Sequence, residues 1–185
     1  MKPKLFIVTS ADFKFKDLSY KLNDFFNCEQ KILDEPEIQG SPEEIIRHKL
    51  QSAYDKFKQP VLVDDVSVSF EALNGFPGPY MKDFFNVMTP YEIGNKFAGS
   101  QISATCRLGL CRGEVDIIIT DGTYHGKIFT PKDNEHKGRW FELFVELDGT
   151  GKPMLELSDE ERNKFSHRGK AIRNLLEILK KENKK

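Results

Sequence analysis

The sequence predicts a mixed α/β domain, and three observations carry that expectation. Short apolar runs bounded by polar turns alternate with stretches whose apolar residues recur every three or four positions. Three of those stretches are headed by a serine or threonine with a glutamate three residues on, the signature of a capped helix. Two long adjoining segments with strand character follow in the second half. Interleaved strands and helices followed by a hairpin make a mixed architecture with a largely central sheet.

In chain order, residues 5–8 read as a buried strand ending in the polar turn of Thr9, Ser10 and Asp12. Phe15, Leu18, Leu22, Phe25 and Phe26 then have the spacing of an amphipathic helix. Ser41-Pro42-Glu43-Glu44 starts a second helix, with Ile45, Ile46, Leu50, Ala53 and Phe57 on one side and Pro60 closing it. Residues 61–63 form a buried strand expected to end at Asp64-Asp65, after which Val66, Val68 and Phe70 alternate with serines. The turn formers and aromatics of residues 75–80 lead into a helix carrying Met81, Phe84, Phe85 and Met88. Thr89-Pro90-Tyr91-Glu92 and Ser158-Asp159-Glu160-Glu161 cap two more helices. Residues 101–112 and 114–130 read as long strands joined near Arg112-Gly113, and residues 171–179 as a closing helix. No repeat or linker interrupts the 185 residues, which are expected to fold as one unit.

Composition excludes several function classes. With 28 Lys+Arg against 29 Asp+Glu, the net charge of −1 lacks the basic excess of a nucleic-acid polymer binder. The longest apolar runs, such as 5–8 and 117–119, are too short to cross a bilayer or to form a signal-peptide core. Cys28, Cys106 and Cys111 have no CxxC spacing, which fits a reducing cytoplasm better than a disulfide framework or zinc site.

Chemistry concentrates in a few places. Paired acids leaving an apolar strand either make a simple turn or present ligands; magnesium takes one or two carboxylates together with waters and phosphates. Glu37, just ahead of the second helix, is a further carboxylate. Lys14 with the Thr9 and Ser10 hydroxyls at a strand–turn–helix junction makes a plausible phosphate cradle, since helix amides and a cation both favour an anion. Lys49, Lys82, Arg162 and Arg168 are further cations, each singly readable as surface charge. Trp140 fits either purine stacking or a core. His167 and Arg168 read as binding groups, because the adjacent Ser166 and His167 lack the geometry of a nucleophile–base pair. His48, His125 and His136 show no metal-ligand spacing.

Together and in this order, these segments resemble the inosine triphosphate pyrophosphatase family of house-cleaning enzymes, in its eukaryotic branch. The resemblance rests on Pro60-Val61-Leu62-Val63-Asp64-Asp65, Phe70-Glu71-Ala72-Leu73-Asn74-Gly75 and Pro77-Gly78-Pro79-Tyr80-Met81-Lys82, with Glu37-Ile38-Gln39-Gly40 and Ser166-His167-Arg168 at the right distances. It implies a single bilobed domain over residues 1–185, with a long twisted mixed sheet, helical lobes around a nucleotide-binding cleft, and a homodimer. The implied reaction is hydrolysis of ITP, dITP and XTP to the monophosphate and pyrophosphate with Mg²⁺, Mn²⁺ serving as a substitute. By resemblance Thr9, Ser10 and Lys14 cradle phosphate, Lys49 and Lys82 hold the polyphosphate, and Glu37, Asp64 and Asp65 hold the metal. Asp65 also activates the attacking water, Trp140 stacks on the base, and His167 and Arg168 contact its 6-oxo edge.

The chain departs from the family pattern at several positions. Ala11 replaces an asparagine and Asp17 a glutamate, and Arg162 replaces a lysine while keeping the charge that would help stabilise the polyphosphate. Val66 stands where a hydroxyl would meet phosphate, and Phe141 and Glu142 where Asp-Pro follows the aromatic. Two alternatives go with these departures: the same chemistry with relaxed base selectivity, or a nucleotide-binding module with little turnover.

Overall fold

The computed structural model describes residues 2–34, 36–131 and 143–183. Its helices and strands form a mixed α/β fold, as the sequence predicts. In chain order they are β1 (Lys4–Val8), α1 (Asp12–Leu22), β2 (Asn27–Lys31), α2 (Pro42–Phe57), β3 (Val61–Phe70), β4 (Pro77–Gly78), α3 (Met81–Val87) and α4 (Pro90–Phe97). Then follow β5 (Gln101–Gly113), β6 (Asp116–Ile128), β7 (Val145–Leu147), β8 (Lys152–Pro153), α5 (Asp159–Phe165) and α6 (His167–Glu182). The described strands make one sheet of order β2-β1-β3-β5-β6-β7-β8, with β4 paired to β3. Pairing is parallel among β1, β2 and β3 and antiparallel for β6 with β7 and for β7 with β8.

One expectation needs correction. Asp64 and Asp65 do not end a strand; they sit in the middle of β3, which continues to Phe70. Their neighbours explain why this is tolerated: each carboxylate meets a lysine, so neither charge is left unpaired in the sheet. Phe25 and Phe26 likewise lie past the end of α1, with Phe26 buried from the turn.

The chain divides into two compact units, Met1–Asp65 with Cys106–Asp121 and Ala171–Lys185, and Val66–Thr105 with Gly122–Lys170. In the first, the apolar face of α2 (Ile46, Leu50, Ala53) packs on Val61 and Val63 of β3, Phe6 of β1 and Cys111 of β5. Gly109 is small because α2 lies against it: an added Cβ would meet Leu50, Ile46 and Val63 within 3.3–3.4 Å. Ser41 and Glu44 form the expected capping box at the head of α2, a feature worth about 1 kcal/mol.

The second unit has an aromatic core. Phe70 sits against Phe84, Phe97 and Phe144, with ring centroids 5.4, 5.6 and 6.4 Å away. Val68, Ile93, Ile102, Tyr124 and Ile128 complete it, and Val66 packs against its edge. Capping boxes at Thr89–Glu92 and Ser158–Glu161 start α4 and α5. An added Cβ on Gly169 of α6 would run into the Asn163 backbone of α5, so this close crossing needs glycine.

Candidate active site

Alternation along β3 decides which partner each acid meets. Val61 and Val63 face α2, and Asp65, two residues on, projects to that side. Its Oδ1 accepts from Lys49 Nζ of α2 at 2.6 Å. The same ammonium lies 3.4 Å from Glu37 Oε1, so one cation joins two carboxylates. Asp64 projects to the opposite face, where Lys14 of α1 donates to it at 3.1 and 3.0 Å. The Asp64 side chain is 3% exposed, and those of Lys49 and Asp65 are 19% and 12% exposed.

This burial sets the proton affinities. Burial pushes the Asp65 carboxyl above its ordinary range, against the lowering effect of Lys49, while the nearby Asp64 charge adds to the rise. For Lys49 burial acts downward, and the charges of Asp65 and Glu37 override it to leave the ammonium more firmly protonated. Lys49 therefore stays cationic beside a carboxylate with heightened proton affinity.

At the β1–α1 junction, Thr9 Oγ1 accepts from the Ala11 N–H at 3.2 Å. No side chain caps α1, which begins at Asp12. Ser10 is exposed in the same turn. The first unit thus brings together Lys49, Glu37 and Asp65, and pairs Lys14 with Asp64 beside this turn. Among the described residues, no three His, Cys, Asp or Glu side chains gather as a ready-made metal site.

In the second unit Lys82 is exposed near the start of α3. Arg162 turns its guanidinium to the chain itself, donating to the carbonyls of Leu157 and Leu155 at 3.1 and 3.0 Å. His167 and Arg168 are buried, 3% and 7% exposed, at the head of α6. The His167 ring meets Tyr124 edge-on at 5.3 Å, and Ser166 Oγ accepts from the Gly169 N–H. Val66 contributes packing to the phenylalanine core. Trp140, Phe141 and Glu142 lie outside the described residues.

Residues 5–178 match the model of a single protein family, described as the Ham1 family. The chain belongs to the Ham1 family. It is 34% identical to the inosine triphosphate pyrophosphatase of Schizosaccharomyces pombe, over 96% of both chains. With inosine triphosphate pyrophosphatase 2 of Trypanosoma cruzi it shares 35% identity over 91% of this chain and 88% of that one. Among solved structures, a HAM1 protein from Coxiella burnetii superposes with a TM-score of 0.80 at 20% identity, covering 98% of this chain and all of the other. The Staphylococcus aureus Ham1 protein gives 0.75 at 22% identity, covering 97% and 100%. Both show that the fold is that of Ham1 proteins, and the resemblance read from the motifs holds over nearly the whole chain.

This Ham1 chain also holds a charged pair that motif reading does not single out. Arg107 of β5 donates from Nε and Nη2 to the two carboxylate oxygens of Asp121 on β6, both at 2.7 Å. The two lie 14 residues apart in sequence, and their pairing is visible only once the register of the β5–β6 hairpin is known.

Proposed function

We propose that this protein is a nucleoside triphosphate pyrophosphatase, hydrolysing ITP, dITP and XTP to the monophosphate and pyrophosphate. The observation that carries the reading is the Glu37–Lys49–Asp65 cluster beside the Lys14–Asp64 pair, in a chain related throughout its length to inosine triphosphate pyrophosphatases. Water attacks the α-phosphorus and the bond to the bridging oxygen breaks. The nucleotide leaves as monophosphate and the β- and γ-phosphates leave together as pyrophosphate. Asp65 accepts the water's proton, and burial, which raises its proton affinity, suits it to that task. Lys14 and Lys49 offset the charge of the polyphosphate, and the turn at Thr9 and Ser10 with the uncapped start of α1 offers N–H and O–H donors to phosphate.

The donor set suits a hard divalent cation. Glu37 and Asp65 already share one positive charge, the Lys49 ammonium, and two carboxylates with water and phosphate oxygens meet the preference of magnesium. Glu37 and Asp65 would hold Mg²⁺, or Mn²⁺ in its place, while Asp64 stays with Lys14 on the other face of β3. When bound, the ion supplies Lewis-acid polarisation of the phosphoryl oxygens.

By the family resemblance, Lys82 would take a polyphosphate role and His167 and Arg168 would read the 6-oxo edge of the base. Arg162 holds the backbone of residues 155–157 and so supports the turn ahead of α5. A homodimer of single-domain subunits in the cytoplasm completes the reading; the three free thiols fit a reducing compartment. No helix among the described residues is long and apolar enough to cross a membrane. Phe141, standing where the family pattern has an aspartate, favours a variant with relaxed base selectivity. Measuring pyrophosphate release from ITP, XTP, GTP and ATP with Mg²⁺ tests the activity. A ratio of kcat/KM near one for ITP over GTP indicates the relaxed form.

A further inference from the structure

On the face of the sheet that carries α2, the first unit holds an arginine beside Asp65 that has no part in the proposed reaction. Gly109 of β5 lies beside Val63 of β3 on this face. Two residues along each strand on the same side are Arg107 and Asp65, and the Asp65 charge acts on Arg107, as does Glu43 from the first turn of α2. Across the hairpin, Asp121 binds the Arg107 guanidinium through both oxygens. The side chains are 19% and 42% exposed, so water and solutes reach the carboxylate side of the pair. Beside it opens a groove of about 630 Å³ lined by Glu43, Arg47, Ile117, Ile119, Asp121 and Asn174.

Lys14 and Lys49 are each engaged with the acids of β3, whereas the acid on Arg107 has no role in the proposed chemistry. The geometry points to Arg107 as a further substrate-binding residue, whose guanidinium rests on Asp121 in the free protein and passes to phosphate oxygens of the bound triphosphate. A guanidinium fork fits two phosphate oxygens as it fits two carboxylate oxygens, so the exchange keeps both hydrogen bonds. The half-exposed Asp121 regains water when released, which makes the exchange inexpensive. The inference rests on the pyrophosphatase reading and extends it to a residue outside the motifs that identify the family here.

The test is steady-state pyrophosphate release from ITP by wild type, Arg107→Ala, Arg107→Lys, Asp121→Asn and the swapped double variant Arg107→Asp/Asp121→Arg, each checked for thermal stability. Arg107→Ala is expected to raise KM about tenfold or more, since two charge-assisted hydrogen bonds to phosphate are lost. Lysine should not restore it, lacking the fork. Asp121→Asn should lower KM by freeing the arginine. The swap keeps a cross-strand ion pair, so it should hold the melting temperature yet show a raised KM. Calorimetric titration with inorganic tripolyphosphate should show the same ranking without turnover. Unchanged KM in a folded Arg107→Ala, or a swap variant with wild-type KM, overturns the inference and leaves the activity standing. A wild-type enzyme that releases no pyrophosphate overturns the activity itself.

Discussion

Replacing Lys49 by methionine tests the central pair most searchingly, because it removes charge while keeping a long apolar stem. Lys49 Nζ and Asp65 Oδ1 stand 2.6 Å apart, with side chains 19% and 12% exposed. Unit charges about 4 Å apart at an effective dielectric near 20 attract by about 4 kcal/mol. Removing one partner of a fully buried pair costs about 3–5 kcal/mol, and the residual exposure here lowers the expectation to about 2–3 kcal/mol. For a chain of this size that corresponds to a fall in Tm of about 5–10 °C. The pH dependence has a definite sign. Burial already raises the folded-state Asp65 carboxyl above its ordinary range, and losing Lys49 removes the main influence opposing that rise. The native state then binds more protons than the unfolded state, so the deficit of Lys49→Met is largest at neutral pH. It shrinks as pH falls through the raised folded value towards the ordinary carboxylate range. The assay is scanning calorimetry of wild type, Lys49→Met, Asp65→Asn and the double variant between pH 5 and 8. A coupling energy below about 0.5 kcal/mol in the cycle, or a deficit that grows on acidification, refutes the reasoning.

Further outcomes are equally specific. Chelation with EDTA should abolish pyrophosphate release, with Mg²⁺ or Mn²⁺ restoring it; activity untouched by chelation contradicts the assignment of Glu37 and Asp65 as cation ligands. Gly169→Ala should destabilise the protein by about 1–3 kcal/mol, since the new methyl group meets the Asn163 backbone rather than a flexible side chain. Thermal unfolding measures this directly, and a neutral result means that α5 and α6 separate without penalty.

Local chemistry was legible in the sequence wherever one segment decides it. The capping residues at Ser41, Thr89 and Ser158 stand at helix starts because each signal lies within four residues. The hairpin of β5 and β6 follows from two adjoining strand-like runs. The candidate site was legible only as a set of residue types. Nothing local says that β3 runs on through Asp64 and Asp65, because two adjacent acids read naturally as a turn. Once the strand continues, its twofold alternation sends the acids to opposite faces, and that separation assigns Lys14 to one and Lys49 to the other. Arg162 is a similar case: its charge suggested phosphate, while its donors meet the carbonyls of Leu155 and Leu157. The Arg107–Asp121 pair depends on hairpin register, which a one-residue slip would undo.

One measurement bears most directly on the account: product analysis for ITP and Mg²⁺ with wild type and Asp65→Asn. The expected result is pyrophosphate with inosine monophosphate from the wild type, and a rate lower by about 10²–10⁴ in the variant, the usual contribution of a general base. Orthophosphate as the sole phosphate product, or an Asp65→Asn variant as fast as wild type, would contradict it.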